Sequence, residues 1–319
     1  MMMSRRRTEK GLLLWVVGGL VLIGGLTACR RSDSAAASPS AKASGSPGTE
    51  VADSRGVVIL NGENDATVKI EAPDKDGYDL PIREEIRRKY VLTPQSTFRV
   101  FGINGPVRVE STDGETAEIL VIRSANRRED LDYNRIVIDY KEAKLRVYRE
   151  GDEKSLFSAF KKMPEGRQRV VVRLPKQIDF IGRGINGGVD LDQIEGSLDV
   201  SGVNGHLRVA SQTGPVEVTG QNGEIDITIR RYTGSPIEMN GINGQITLRF
   251  AGEVNATMVA RGNNGEVTSD LPGFQPRDDE RQGGYEARIG TGGAEMEFHG
   301  INGNIRLLKA ATPAVATGR

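Results

Sequence analysis

Residues 184–209 read Gly-Ile-Asn-Gly-Gly-Val-Asp-Leu-Asp-Gln-Ile-Glu-Gly-Ser-Leu-Asp-Val-Ser-Gly-Val-Asn-Gly-His-Leu-Arg-Val. Two copies of Gly-x-Asn-Gly stand here 18 residues apart, with Glu195-Gly196 halfway between them. Each bend is followed, one residue on, by an apolar–polar–apolar triplet: Val189-Asp190-Leu191, Leu198-Asp199-Val200, Leu207-Arg208-Val209. A period of two places the aliphatic pair on one face of a strand and the charged residue on the other. A nine-residue unit holds one short strand and one corner but cannot cover its own apolar pair. Stacking identical units covers it.

The motif recurs along the chain. It occurs seven times, at Asn104-Gly105, Asn186-Gly187, Asn204-Gly205, Asn222-Gly223, Asn243-Gly244, Asn264-Gly265 and Asn302-Gly303, each preceded by a glycine two residues before the asparagine. Five consecutive asparagines are spaced by 18, 18, 21 and 21 residues. Asparagine and glycine tolerate positive φ, so these fourteen residues are the expected turn-formers. The triplets continue as Val216-Glu217-Val218, Ile225-Asp226-Ile227, Ile246-Thr247-Leu248 and Ile305-Arg306-Leu307. Two all-β architectures fit. One is a right-handed β-solenoid, parallel β-helix-like, with repeats of 18–21 residues. The other is an antiparallel meander with a hairpin at each Asn-Gly. Asn-Gly recurs at every second bend, which favours the solenoid over the hairpins.

The recurring Gly-Ile-Asn-Gly, at 102, 184, 241 and 300, and the strand phrases after it resemble the bacterial "putative adhesin" β-solenoid families, including the group named for a head GIN domain. The likeness runs from Thr97 to Leu308 and is clearest between Ile178 and Phe250. It implies a cell-envelope protein on a right-handed β-solenoid and says little about mechanism.

Upstream of the repeats the chain changes character. Arg5, Arg6, Arg7 and Lys10 precede an apolar stretch from Gly11 to Gly25, and Leu26-Thr27-Ala28-Cys29 closes it. This is the pattern of a signal peptide over residues 1–28. Its last four residues resemble the bacterial lipobox. That resemblance implies diacylglyceryl modification of the Cys29 thiol, cleavage before it and acylation of the new amine with a fatty acid such as palmitate. Cys29 is the single cysteine of the chain, so no internal disulfide competes for it. The apolar stretch is shorter than the ~20 residues of a spanning helix and is interrupted by glycine. Arg30 stands where an aspartate would hold a lipoprotein at the inner membrane, which favours the outer membrane if the source has two. Residues 29–54, rich in Ser, Ala, Pro and Gly, read as a flexible tether, and 310–319 as a disordered tail.

Residues 55–176 form a less regular, β-rich part or cap, and 177–309 the regular repeats. In the former, Val57–Leu60, Ala66–Ile70, Phe98–Phe101, Val107–Val109, Ile119–Ile122, Ile136–Tyr140, Leu145–Tyr148 and Val170–Leu174 read as strands, the last ended by Pro175. Charged Arg83–Lys89 is expected as a short helix and Lys154–Arg167 as a long loop.

Charge points to no nucleic-acid partner, since 43 basic residues balance 43 acidic ones. Glycine is abundant at 40 residues, about twice ordinary usage, and aromatics are 5%. An enzyme on this scaffold would need converging carboxylates. Asp190, Asp192, Glu195 and Asp199 are the one acidic group, with Asp190 and Asp199 at equivalent repeat positions; a solvated face is the plainer reading, a weak Ca²⁺ site the other. His206 and His299 have no sequence partner for metal or acid–base work, and no phosphate-binding loop occurs. The expectation is no catalytic residue, no metal site, no cofactor and no enzyme. What remains is a membrane-anchored module outside the cytoplasm. Its outward Asp190, Asp199, Arg208, Glu217, Asp226, Thr247 and Arg306 would meet an extended protein or glycan of the envelope or beyond. The alternatives are a polysaccharide lyase or hydrolase on a β-helix and an envelope-stress signalling accessory.

Overall fold

The computed structural model describes residues 79–133, 135–150, 166–279 and 284–311. The signal peptide, Cys29, the tether, the patches Val57–Leu60 and Ala66–Ile70, most of the Lys154–Arg167 segment and the tail lie outside the described residues.

Strands dominate. The irregular part contributes β1 (Ile82–Val91), β2 (Thr97–Phe101), β3 (Val107–Thr112), β4 (Thr116–Ala125), a short helix α1 (Arg128–Tyr133), β5 (Ile136–Lys141), β6 (Lys144–Arg149) and β7 (Gly166–Pro175). The repeats contribute β8 (Asp179–Arg183), β9 (Val189–Ile194), β10 (Leu198–Ser201), β11 (Leu207–Gln212), β12 (Val216–Thr219), β13 (Ile225–Ile229), β14 (Ile237–Asn240), β15 (Ile246–Phe250), β16 (Ala256–Arg261) and β17 (Val267–Ser269). The chain ends with β18 (Gln275–Asp279), β19 (Gly284–Ile289), β20 (Ala294–His299) and β21 (Ile305–Lys309).

They assemble into two mixed sheets. One has the order β1-β4-β7-β3-β9-β11-β13-β15-β21-β17, the other β18-β19-β16-β20-β14-β12-β10-β8-β2-β6-β5. From β8 to β17, successive strands alternate between the sheets, so the two strands flanking an Asn-Gly never pair with each other. The hairpin alternative is thereby corrected. Within a sheet, repeat neighbours are parallel and in register: Leu198 lies opposite Phe180 on one side and Val216 on the other, and Ile225 lies opposite Leu207 and Ile246. From β8 to β15 each consecutive strand pair therefore forms a layer, one strand per sheet, resting on the layer before it.

Both aliphatic residues of each triplet point between the sheets. Phe98, Phe180, Leu198, Val216, Ile237, Met296 and Met258 make one buried row, and Val107, Val189, Leu207, Ile225, Ile246 and Ile305 face it. Full burial of such a side chain contributes about 1.5–3 kcal/mol. Layers thus hold each other by contacts that no single layer supplies.

Stacking order departs from chain order at both ends. The layer β2–β3 rests directly on β8–β9, with Phe98 opposite Phe180 and Val107 opposite Val189. The intervening chain places β6 and β7 parallel on the far side of β2 and β3, and adds β5 and then β4 and β1 antiparallel beyond them. At the other end the last layer, β20–β21, sits between β14–β15 and β16–β17. The antiparallel hairpin β18–β19 covers β16.

The helix expected over Arg83–Lys89 is a strand, β1. Strand pairing decides it: all ten residues pair with β4, Ile86 and Tyr90 pack against the core from one face, and Arg83 and Glu85 are buried on the other, bonded to each other at 2.9 Å. Strand pairing outweighs the helix preference of a charged run. Gly166 and Arg167, expected in the loop, open β7.

Candidate functional site

The seven corners share one geometry. The first glycine of each motif carries a left-handed φ between 60° and 64°, at Gly102, Gly184, Gly202, Gly220, Gly241, Gly262 and Gly300. Among the described residues the non-glycine positions with positive φ are Gln95, Glu142 and Ala143, so no motif asparagine takes that conformation. The asparagines link layers instead. Asn186 Nδ2 donates to Asn104 Oδ1 (2.9 Å), Asn204 to Asn186 (3.2 Å), Asn222 to Asn204 (3.0 Å) and Asn243 to Asn222 (3.1 Å). The ladder continues through Asn302 to Asn243 (3.0 Å) and Asn264 to Asn302 (3.1 Å), and Asn104 Nδ2 closes it on the Gly166 carbonyl (2.7 Å). Beside it runs a seam of second glycines: a Cβ on Gly205 would collide with the Gly187 carbonyl, on Gly223 with Gly205, and on Gly244 with Gly223.

The residue between Gly and Asn points inward. Ile103, Ile185, Val203, Ile242 and Ile301 are buried there, and Gln221 takes the same place at 1% exposure. Gln221 donates to the Gly205 carbonyl, while its Oε1 is buried without a partner.

Outward residues differ between the two sheets. On the sheet of β9 and β11, the stacked row runs Arg108, Asp190, Arg208, Asp226, Thr247, Arg306. Its signs alternate at the strand spacing of about 4.8 Å. Thr247, expected outside, is 2% exposed, with Gln245 Nε2 at 3.3 Å from its Oγ1. Over this row lies a groove of about 740 Å³, bordered by Arg108, Asp190, Asp192, Arg208, Asp226 and Arg249 and deepened by the small Ala210. Most of its charges are tied: Arg249 to Asp226 at 2.8 Å, Arg108 to Glu110 at 3.5 Å, and His206 Nε2 to Asp190 at 3.1 Å.

The acidic group read from the sequence does not converge. Asp190 and Asp192 lie on β9, whereas Asp199 lies on β10 in the other sheet, because the nine-residue unit alternates sheets. Asp192 accepts the Ser111 N–H (3.3 Å), Glu195 the Gln193 amide (3.0 Å) and Asp199 the Arg183 guanidinium (2.8 Å). Among the described residues no three His, Cys, Asp or Glu side chains gather closely enough to hold a metal ion. His206 and His299 each have a carboxylate neighbour, Asp190 and Glu297, both at 3.1 Å. The His206 pair escapes sequence reading because its members meet only through stacking, 16 residues apart.

The opposite sheet carries a row of one sign. Asp199, Glu217, Glu238 and Glu297 stand opposite one another on four adjacent strands, beside a recess of about 270 Å³ that Pro215 and Pro236 help to line. Sequence spacing hides its last member, since Glu297 reaches Glu238 only by the displaced last layer.

Three tyrosines have shifted acidities. The Tyr140 hydroxyl lies 3.2 Å from Ser96 Oγ and 3.0 Å from Thr93 Oγ1, and accepts the Thr93 N–H at 2.9 Å. The bonds to Ser96 and then Thr93 lower its pKa. Burial raises those of Tyr232 and Tyr90.

No helix among the described residues is long and apolar enough to cross a membrane. No family model matches the chain, and no curated protein matches it. Among solved structures it is similar to a "putative cell adhesion protein" from Clostridium sporogenes, at 14% identity over 71% of this chain and 100% of that one, with a TM-score of 0.37. A "putative adhesin" from Bacteroides fragilis gives 16% identity over 70% and 96% of the two chains, with a TM-score of 0.29. A "putative lipid binding protein" from Parabacteroides distasonis gives 11% over 71% and 97%, with a TM-score of 0.26. At these scores the likeness is remote.

Proposed function

We propose that this chain is an envelope lipoprotein, acylated on Cys29 and held off the membrane by the tether 29–54. Its right-handed β-solenoid of 18–21-residue repeats is a non-catalytic, adhesin-like binding module. One observation carries the reading: the groove over Arg108, Asp190, Arg208 and Asp226 spans several stacked layers, with Asp226 held by Arg249, Asp190 by His206 and Arg208 exposed. An extended surface of fixed charges suits a long partner, protein or glycan, that makes many weak contacts. Catalysis on the same surface would call for two free carboxylates facing one bond, whereas the groove carboxylates Asp190, Asp192 and Asp226 are held by His206, the Ser111 N–H and Arg249.

The test combines binding with turnover. Purified protein is measured against envelope glycans and outer-surface proteins, beside an Arg208→Glu/Asp226→Arg variant that inverts the row. Binding weakened severalfold by the inversion supports the module. Hydrolysis or elimination on polyuronides or peptidoglycan fragments that is lost in an Asp190/Asp192/Asp199 triple alanine variant would replace it with the enzyme.

A further inference from the structure

The last layer of the chain is an insert. Strands β20 and β21 follow β16 through β19 in sequence, yet in both sheets they separate β16–β17 from β14–β15. Met296 faces Ile237 on one side and Met258 on the other; Ile305 faces Ile246 and Val267. The corner is filled in the same way. Asn302 donates to Asn243 and accepts from Asn264, and its carbonyl accepts the Gly244 N–H at 3.1 Å.

The walls of this slot are complementary to each other as well as to the insert. Asn243 and Asn264 are 21 residues apart in sequence, as are Asn222 and Asn243, which touch directly. Ile237 and Met258, and Ile246 and Val267, keep the same offset. With the insert withdrawn, β16–β17 can rest on β14–β15 in the register used one layer earlier. The column re-closes one layer shorter, without open edges at the slot. Among the described residues β20 and β21 are the last elements, so their withdrawal threads no other described strand. The insert is joined to β19 by Gly290, Thr291, Gly292 and Gly293, whose glycines have φ of 58°, 79° and 156°. Asn255 clasps that hinge from β16's side: its Oδ1 accepts both the N–H and the hydroxyl of Thr291, each at 2.9 Å.

A released insert carries Met296, Phe298, Ile301, Ile305 and Leu307 out of burial. The surface shaped to cover these side chains, with a matching Asn-Gly corner, is the same slot in a second copy. We propose that the C-terminal layer, 294–309, exchanges between two copies of this chain, each filling the other's slot to give a closed two-fold dimer. The exchanged and unexchanged forms have the same contacts within the slot, so concentration sets their balance.

Glu238 and Glu297 are outward partners on adjacent strands, close enough for a disulfide when both are cysteine. The experiment uses the full chain with Cys29→Ser, which removes its one native thiol. Glu238→Cys and Glu297→Cys are made separately and together. In the double variant at low concentration an intrachain disulfide reports the insert in its slot. An equal mixture of the single variants is expected to give a disulfide-linked dimer that neither gives alone. Its yield should rise with protein concentration and increase severalfold when Asn255→Ala is added to both. No interchain bond in the mixture at any concentration, with or without Asn255→Ala, would overturn the proposal. So would a double variant that fails to close within one chain.

Discussion

Asn222 Nδ2 donates to Asn204 Oδ1 across 3.0 Å, and Asn204 passes the same bond on to Asn186. The amide of each corner is therefore a rung between layers, and the left-handed turn falls to the glycine two residues earlier. The corner separates two jobs that the motif writes side by side.

That separation ranks two substitutions at one corner. Asn204→Ala removes two exposed amide bonds and leaves the backbone free to keep its path, for a loss of about 1 kcal/mol. Gly205→Ala must seat a Cβ against the Gly187 carbonyl at a φ of 156°, at a cost on the order of 3 kcal/mol or more. Denaturant unfolding of the two variants measures the order. A larger loss from Asn204→Ala would mean that the asparagine, not the glycine seam, holds the corner.

Gln221 sits where its stacked neighbours place Val203 and Ile242, and its buried Oε1 has no partner. An orphaned acceptor costs roughly 1–3 kcal/mol, partly offset by its amide donating to Gly205. Gln221→Val removes the acceptor and restores the aliphatic row at similar volume. It should stabilise the protein by about 1 kcal/mol, read as a higher midpoint with an unchanged denaturant slope. A lower midpoint would show that the bond to the Gly205 carbonyl outweighs the orphaned oxygen.

Local periodicity made the layers legible and left their order hidden. Val189-Asp190-Leu191 declares a strand with one buried face, and Gly184 with Asn186 declares a corner, because both depend on a few adjacent residues. Which layer touches which depends on chain returning from afar. Asn243 and Asn264 are 21 residues apart, like the touching pair Asn222 and Asn243, yet Asn302, 59 residues beyond Asn243, stands between them, and the like-signed row ending in Glu297 follows from that displacement. Arg83–Lys89 misleads for the same reason. Its charges fit a helix in isolation, whereas the burial of Arg83 and Glu85 appears only with β4 alongside. The outward residues of β9, β11 and β13 belong to true sequence neighbours, but reading along the chain runs them together with Asp199 and Glu217, which the structure places on the other sheet.

Alkaline titration should separate the tyrosines. Tyr140, its phenolate favoured by Ser96 and Thr93, ionises below the ordinary value of about 10, and Tyr232 and Tyr90 ionise above it. Above pH ~10 the unfolded chain has lost protons that folded Tyr232 and Tyr90 retain, so they lower stability as pH rises; Tyr140 opposes them. Tyr140→Phe is expected to delete the earliest limb of the phenolate absorbance curve and to steepen the alkaline loss of stability. Tyr232→Phe should flatten that loss. A first limb that survives in Tyr140→Phe would assign the low acidity elsewhere.

The proposed anchor makes a separate demand on Cys29. Acyl transfer needs its thiol, which a serine hydroxyl does not replace, and the apolar stretch Gly11–Gly25 is shorter than the ~20 residues that would hold an uncleaved precursor across a bilayer. Two acyl groups give stable membrane attachment where one gives only marginal binding. Cys29→Ser should therefore lose incorporation of labelled palmitate and leave the membrane fraction on carbonate washing. The thermal unfolding of the layers should not change, because in this proposal residues 29–54 are only a tether. Retention of the serine variant in the washed membranes at the native level would place the attachment in some part of the chain other than Cys29.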